Sequence, residues 1–287
     1  MKNLPFYKIN AGGNDFVCID NISGEYSDFI NGAGFSKFLM QTCKRGLGVG
    51  CDGIIVAEKA TEPAADIQAR FFEPDGSEVE LCGNGTACFV YWAYNNALVK
   101  HHEIAIQTRA GINNGQLKDN GFCSVCVPNP TQFKQDICIA INNTLLYSDF
   151  IVTGTGHAIV HVENVDDVDV QTVGHHIRHH QAYGQAVNAT FVEVLSEGHI
   201  KVRTFEFGVE AETLACGTGS ASAAMLTAVR NNWHYNYLHG NQPIMVDVRG
   251  GISLKIWFNY DQQKQQFFDV CLETIPEPVY QGILITP

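Results

Sequence analysis

Much of the chain reads as short segments in which β-branched and aromatic residues alternate with polar ones or run together. Alternation with period two buries one face of a strand, while a short unbroken apolar run marks a strand covered on both faces. On that basis strands are predicted over residues 53–57, 103–108, 122–127, 151–162, 190–195, 200–205 and 252–258. Two segments break the pattern. Residues 85–97 and 219–230 are rich in Ala and other apolar residues on every side, as expected of enclosed helices. Segments 35–43 and 165–176 read as outer helices, with His101-His102 closing the helical region after 85–97. Pro276-Glu277-Pro278 sets off a last strand, 279–285, that returns to the first half.

The motifs recur in the same order. Arg70-Phe71-Phe72-Glu73 leads through Glu78-Val79-Glu80-Leu81 to Cys82-Gly83-Asn84-Gly85. Further on, Arg203-Thr204-Phe205-Glu206 leads through Glu212-Thr213-Leu214-Ala215 to Cys216-Gly217-Thr218-Gly219. Gln107-Thr108-Arg109-Ala110-Gly111 is answered by Asp247-Val248-Arg249-Gly250-Gly251, and the run 10–15 by 153–157. Likewise 52–56 matches 188–192. Five matches in one order imply an internal duplication. The expected fold class is therefore α/β (α+β), with two pseudo-symmetric domains. Residues 1–128 plus 275–287 carry Cys82, and residues 129–274 carry Cys216. Asn129-Pro130 and the polar stretch at Asn142-Asn143 mark the crossing.

Composition narrows the function. The formal net charge of −12 over 287 residues argues against a general affinity for nucleic acid or anionic membranes. A small-molecule partner is expected instead, and a homodimer is left open. No stretch approaches the roughly 18 apolar residues of a membrane span, and Met1-Lys2-Asn3-Leu4-Pro5 does not open a signal peptide. A cytoplasmic setting is expected, in which the ten cysteines are reduced thiols. Cys18, Cys43, Cys88, Cys138 and Cys271 lie in apolar runs and read as small core residues.

Cys82 and Cys216 read differently. A cysteine at a strand-to-helix turn sits among unsatisfied backbone N–H groups and a positive dipole end, which favour its thiolate. Gly83, Gly85, Gly217 and Gly219 let the backbone approach an anion such as an α-carboxylate. Two such loops related by pseudo-symmetry are expected to meet across one cleft, with one thiol for each face of an α-carbon. Inverting a stereocentre needs that arrangement: a thiolate removes the proton and a neutral thiol replaces it from the other side. Neither glycine cluster continues into Gly-Lys-Ser/Thr, and Gly83-Asn84-Gly85 lacks the third glycine of a dinucleotide fingerprint.

With these residues in view, the chain closely resembles the diaminopimelate epimerase family. The likeness rests on Gly13-Asn14-Asp15-Phe16, on Asp75-Gly76-Ser77-Glu78 with the Cys82 loop, and on Ala215-Cys216-Gly217-Thr218-Gly219. Val187-Asn188-Ala189 and Gly250-Gly251 extend it over nearly the whole chain. The resemblance implies two similar domains, each a sheet wrapped around a central helix, and an amino-acid racemase or epimerase using neither pyridoxal phosphate nor metal. It implies Cys82 and Cys216 as base and acid, with His157 and Glu206 holding the α-amino group and tuning the thiols. It further implies Gly83, Asn84, Gly217 and Thr218 at the α-carboxylate, and Asn14 and Asn188 as substrate contacts.

The distal side of the substrate departs from the family. Glu73 stands where the family has asparagine, Thr155 interrupts its Gly-Asn-Pro-His, and Gly53 replaces a glutamine. Phe207 replaces the arginine that pairs bidentately with a second carboxylate. These changes point to a basic or aromatic side chain on the substrate, as in histidine, lysine, arginine or ornithine. Diaminopimelate itself, an intermediate of lysine and peptidoglycan biosynthesis, is the alternative, and a non-catalytic amino-acid binder is a further one. Two clusters carry no assignment. Cys123 and Cys126 are three apart on a strand and so point to opposite faces, and His175, His176, His179 and His180 read as a solvated surface.

Overall fold

The computed structural model describes residues 3–141, 144–184 and 186–286. Asn142-Asn143, expected at the crossing, lies outside them. The chain divides into two compact units, Met1–Val125 with Glu273–Pro287, and Cys126–Leu272.

In the first unit Asn3–Ala11 pairs antiparallel with Glu277–Ile285 on one side and with Asn14–Asp20 on the other. Asn14–Asp20 then runs parallel to Gly53–Glu58, which is antiparallel to Ile67–Phe72. Ile67–Phe72 takes the short strand Glu78–Val79 antiparallel and Glu103–Thr108 parallel, and Glu103–Thr108 continues antiparallel into Gly111–Leu117. In the second unit the hairpin Thr144–Thr153 and Thr155–His161 is followed in parallel by Val187–Ser196, then antiparallel by His199–Glu206. His199–Glu206 takes Ala211–Thr213 antiparallel and Ile244–Asp247 parallel, and Ser253–Asp261 follows antiparallel. The duplication thus extends to the order and direction of the strands.

Parallel neighbours cannot be joined by a tight turn, so each parallel pair needs a crossover, and a helix supplies it. Phe35–Cys43 and Val170–Arg178 serve one pair in each unit. Gly83–Asn95 and Gly217–Arg230 serve the other. The last two are buried along most of their length, through Ala87–Val90, Trp92 and Ala93 in one and Ser220–Ala228 in the other. Their small and apolar composition follows from that enclosure. Each unit also has its own core, around Leu4, Val17, Phe35 and Ile54 in the first and Phe150, Val160, Phe191 and Phe205 in the second.

Several expectations change. The strand predicted over 151–162 is two strands, because Gly154 at φ 76° turns the chain and pairs Thr153 with Thr155. The outer helix starts late: Asp169 caps Val170–Arg178, its carboxylate accepting the Thr172 N–H at 3.0 Å. His101-His102 does not end a helix. The helix stops at Asn95, and His102 lies with Nδ1 3.0 Å from the Leu117 carbonyl and Nε2 2.7 Å from the Tyr94 hydroxyl. Thr131–Ile141 is a strand that the sequence did not announce, since most of its residues are exposed. Cys138 on it is exposed and Cys271 is half-buried, so neither is a core residue. Among the described residues no helix is long and apolar enough to cross a membrane.

Candidate active site

Each cysteine stands where the chain leaves the sheet for its enclosed crossover helix. Cys82 is the N-cap of Gly83–Asn95 at φ −132° and ψ 120°, and Cys216 is the N-cap of Gly217–Arg230 at φ −126° and ψ 109°. The Thr86 N–H donates to the Cys82 carbonyl at 2.7 Å, and the Ser220 N–H to the Cys216 carbonyl at 2.8 Å. Neither cysteine side chain caps its own helix. Helix geometry leaves the first-turn amides of Gly83, Asn84, Gly217 and Thr218 without intrahelical acceptors, the donor set a carboxylate requires.

The approach to each cysteine is braced in the same way. Arg70 holds Glu78 through two bonds of 2.9 Å, and Arg203 holds Glu212 through bonds of 2.6 and 2.7 Å. Each pair fastens the short strand before the cysteine onto the longer one. Within the turn, Gly219 explains the Cys-Gly-X-Gly spacing. A Cβ there would lie 3.1 Å from Cys216 Sγ and 3.2 Å from Thr190 Oγ1. Gly219→Ala favours the helix by up to about 1 kcal/mol yet displaces the thiol. Activity is therefore expected to fall about tenfold or more while the melting temperature stays within a few degrees, because sub-ångström displacement of a reacting group is costly. Steady-state kinetics and a thermal melt on the same sample check this.

In the first unit Asn84 Nδ2 donates to Asn14 Oδ1 at 2.8 Å, so these two predicted contacts come together. Asn14 Nδ2 donates in turn to Asp52 at 3.3 Å, and Arg45 binds Asp52 at 2.8 Å and Asp15 at 2.7 and 3.0 Å. Lys8 adds a bond to Asp15 at 2.9 Å. Burial pushes the Asp15 carboxyl up, but Arg45 and Lys8 outweigh it and hold it below the usual range. Glu73 lies in the turn after Ile67–Phe72, its N–H donating to the Ser77 carbonyl at 2.9 Å. The hydrogen bond with Cys51 and burial raise the Cys43 thiol, and the Glu73 carboxylate adds a smaller push in the same direction.

In the second unit the predicted residues form one chain of contacts. Cys216 Sγ is 3.7 Å from Thr218 Oγ1, which is 3.1 Å from His157 Nε2. His157 Nε2 is also 3.3 Å from Thr155 Oγ1, which accepts from Asn188 Nδ2 at 3.1 Å. Asn188 Oδ1 accepts the Phe207 N–H at 2.7 Å. His157 has no exposed surface, and its Nδ1 finds no hydrogen-bond partner among the described residues. A proton on Nδ1 would be a buried unpaired donor, so the geometry favours the Nε2–H tautomer. Nε2–H then donates to a threonine oxygen, and the Thr218 hydroxyl is left to donate to the Cys216 sulfur. Glu206 sits at the end of the next strand and accepts from the Thr213 hydroxyl.

Burial holds His157 down to about 3, neutral at any working pH. The unfolded chain takes up this proton below its ordinary 6.5 while the folded one does not, so stability is lost as pH falls from 6.5 toward 3. By pH 5 this single group costs about 2 kcal/mol. His157→Gln is expected to flatten the fall in unfolding free energy between pH 8 and pH 5 by about that amount, as read by urea denaturation. An unchanged slope would show that His157 does not carry it.

Some neighbours were not legible. Arg178, at the end of Val170–Arg178, stacks its guanidinium 4.4 Å from the Phe207 ring and pairs with Glu210 at 3.2 Å. One face of Phe207 is thus already occupied by a cation, while the residue as a whole is 43% exposed. Thr213, Arg45 and Asp52 were likewise missed. Their motifs gave no sign, because the partners are brought in from other strands. Among the described residues no group of His, Cys, Asp and Glu has the arrangement to hold a metal.

Comparison with known proteins places the chain. Residues 6–127 and 150–268 match the family model described as diaminopimelate epimerase. A diaminopimelate epimerase of Aquifex aeolicus is 35% identical over 261 residues, covering 90% of this chain and 91% of its own. One from Acinetobacter baylyi is 36% identical over 77% of this chain and 81% of its own. One from Hydrogenobaculum is 31% identical over 96% and 97%. In fold, a PhzF-family phenazine biosynthesis protein of Bacillus anthracis superposes with a TM-score of 0.71 at 18% identity, covering 100% of both chains. A probable proline racemase of Agrobacterium radiobacter gives 0.73 at 11%, covering 99% of this chain and 93% of its own. The chain is an isomerase of the cofactor-independent racemase and epimerase type, and it belongs to the diaminopimelate epimerase family.

Proposed function

We propose that the chain inverts the α-carbon of a free amino acid by proton transfer between Cys82 and Cys216, and that diaminopimelate is its substrate. The observation that carries the reaction is the near-identity of the two cysteine N-caps, each thiol at the head of an enclosed helix. The relatives' names support the substrate. In this reading the first-turn amides hold the α-carboxylate and stabilise the charge that develops when the α-proton leaves. One sulfur, as thiolate, takes that proton, and the other, as thiol, delivers one to the opposite face; the reverse reaction exchanges the roles. The Thr218 hydroxyl, steered by neutral His157, supports the charged form of Cys216.

A second reading is favoured by the side-chain end of the site. Glu73 repels a distal carboxylate, and Phe207 stands where the family's arginine would bind one. Both suit a basic or aromatic amino acid, with histidine, lysine, arginine and ornithine as candidates. Incubation in deuterated water with diaminopimelate and these four amino acids, followed by mass spectrometry of α-deuterium and by chiral analysis, decides between them. The amino acid that both exchanges and inverts is the substrate. Binding without exchange of any α-proton would overturn the catalytic reading.

A further inference from the structure

Cys126 and Cys271 lie outside everything assigned above. They stand at the two places where the chain passes between its units, after Val125 and before Glu273. The strands Cys123–Cys126 and Gln266–Thr274 are neighbours in the sheet, and just beyond the first the Val127 N–H donates to the Val270 carbonyl at 2.9 Å. Cys126 and Cys271 are the residues that flank this bond, one on each strand. Residues facing each other on neighbouring strands have Cα atoms about 4.5–5.5 Å apart, within the range a disulfide spans. The two sulfurs are in fact 2.6 Å apart. Cys126 is exposed and Cys271 half-buried, so a small molecule reaches the first sulfur more readily than the second.

We propose that Cys126 and Cys271 are a redox-active pair that closes to a cross-strand disulfide by exchange with a soluble low-molecular-weight disulfide such as glutathione disulfide. The Cys126 thiolate attacks one sulfur of that molecule, breaking its S–S bond and releasing one glutathione thiolate. The Cys271 thiolate then attacks the Cys126 sulfur of the mixed disulfide and releases the second. The two protein thiols lose two electrons and two protons, the reagent gains the electrons, and the protons end on the two glutathione molecules released. The hydrogen bond from the Cys271 thiol holds Cys126 down to about 7, so a large fraction is thiolate near neutral pH and ready for the first step. The closed bond joins the two segments by which the chain crosses from one unit to the other. This pair is separate from Cys82 and Cys216 and does not depend on the epimerase reading.

The test is a thiol map of the full-length protein after glutathione disulfide treatment, with acid quench, iodoacetamide labelling and non-reducing peptide mass spectrometry. Labelling of Cys126 and Cys271 is expected to fall together, at least about tenfold, as a peptide linking them appears; excess reduced glutathione restores both. In Cys271→Ser the second step is blocked, and Cys126 is expected to accumulate as its glutathione mixed disulfide. Full labelling of both cysteines in the treated wild type would overturn the proposal. So would a mixed disulfide that persists on Cys126 in the wild type, since Cys271 would then fail to resolve it.

Discussion

Cys82→Ala and Cys216→Ala are each expected to lose inversion of the substrate by at least about 10³-fold, the scale of an acid–base group in a proton transfer. The sharper result lies in what survives. A variant with one thiol can still remove the α-proton of the enantiomer that faces it and return a solvent deuteron from the same side. Residual α-deuterium incorporation is therefore expected for one enantiomer in Cys82→Ala and for the opposite enantiomer in Cys216→Ala, in both cases without inversion. Mass spectrometry of each enantiomer in deuterated water reads this, with circular dichroism showing that the fold is kept. Alanine truncates a small side chain at a helix cap that makes no side-chain capping bond, so the fold is expected to hold. Inversion retained in either variant, or the same enantiomer exchanging in both, would remove the two-thiol assignment.

The second large effect concerns the side-chain end. Installing Glu73→Asn and Phe207→Arg together removes a negative charge and adds a guanidinium able to pair with a distal carboxylate. A charge-assisted bond is worth about 1.5–3 kcal/mol, so kcat/KM for diaminopimelate is expected to rise about tenfold to a hundredfold, chiefly through KM. Under the second reading, exchange with histidine, lysine, arginine or ornithine falls in the same variant. Arg178 already stacks on Phe207, so Phe207→Arg sets two guanidinium groups side by side. Phe207→Arg with Arg178→Met separates that repulsion from the gain at the carboxylate. If diaminopimelate kinetics do not improve in either background, Glu73 and Phe207 do not face the substrate's side chain.

The residues around the thiols were legible because the chemistry is local in sequence. A cysteine, two glycines and the start of an apolar helix occupy adjacent positions, and the duplication shows the pattern twice. Strand order was partly legible for the same reason: once the halves are aligned, a parallel pair and its crossover helix in one predict those in the other. What the sequence hid is set by pairing across strands. Arg178 meets Phe207, 29 positions further along the chain, and Asp52 reaches Asn14 from just before the neighbouring parallel strand. Neither leaves a mark in local composition. The break at Gly154 was hidden because both arms of that hairpin are buried and apolar, so the run looked continuous. Cys123 and Cys126 point to opposite faces of their strand and suggest no joint role; the partner of Cys126 is Cys271, 145 positions away, where no local spacing rule applies.

The pairing of Asn3–Ala11 with Glu277–Ile285 has a consequence for the order in which the molecule assembles. The strands of the Cys126–Leu272 unit follow one another in the chain without interruption, so that unit has its sheet once Gln266–Thr274 has been synthesised. The unit begun first is finished last. Until its final strand emerges, Asn3–Ala11 is a nine-residue edge with one row of backbone donors and acceptors unpaired, the kind of edge that recruits strands from other chains. The later-born half thus matures before the earlier one, and the exposed interval in biogenesis belongs to the half that carries Cys82.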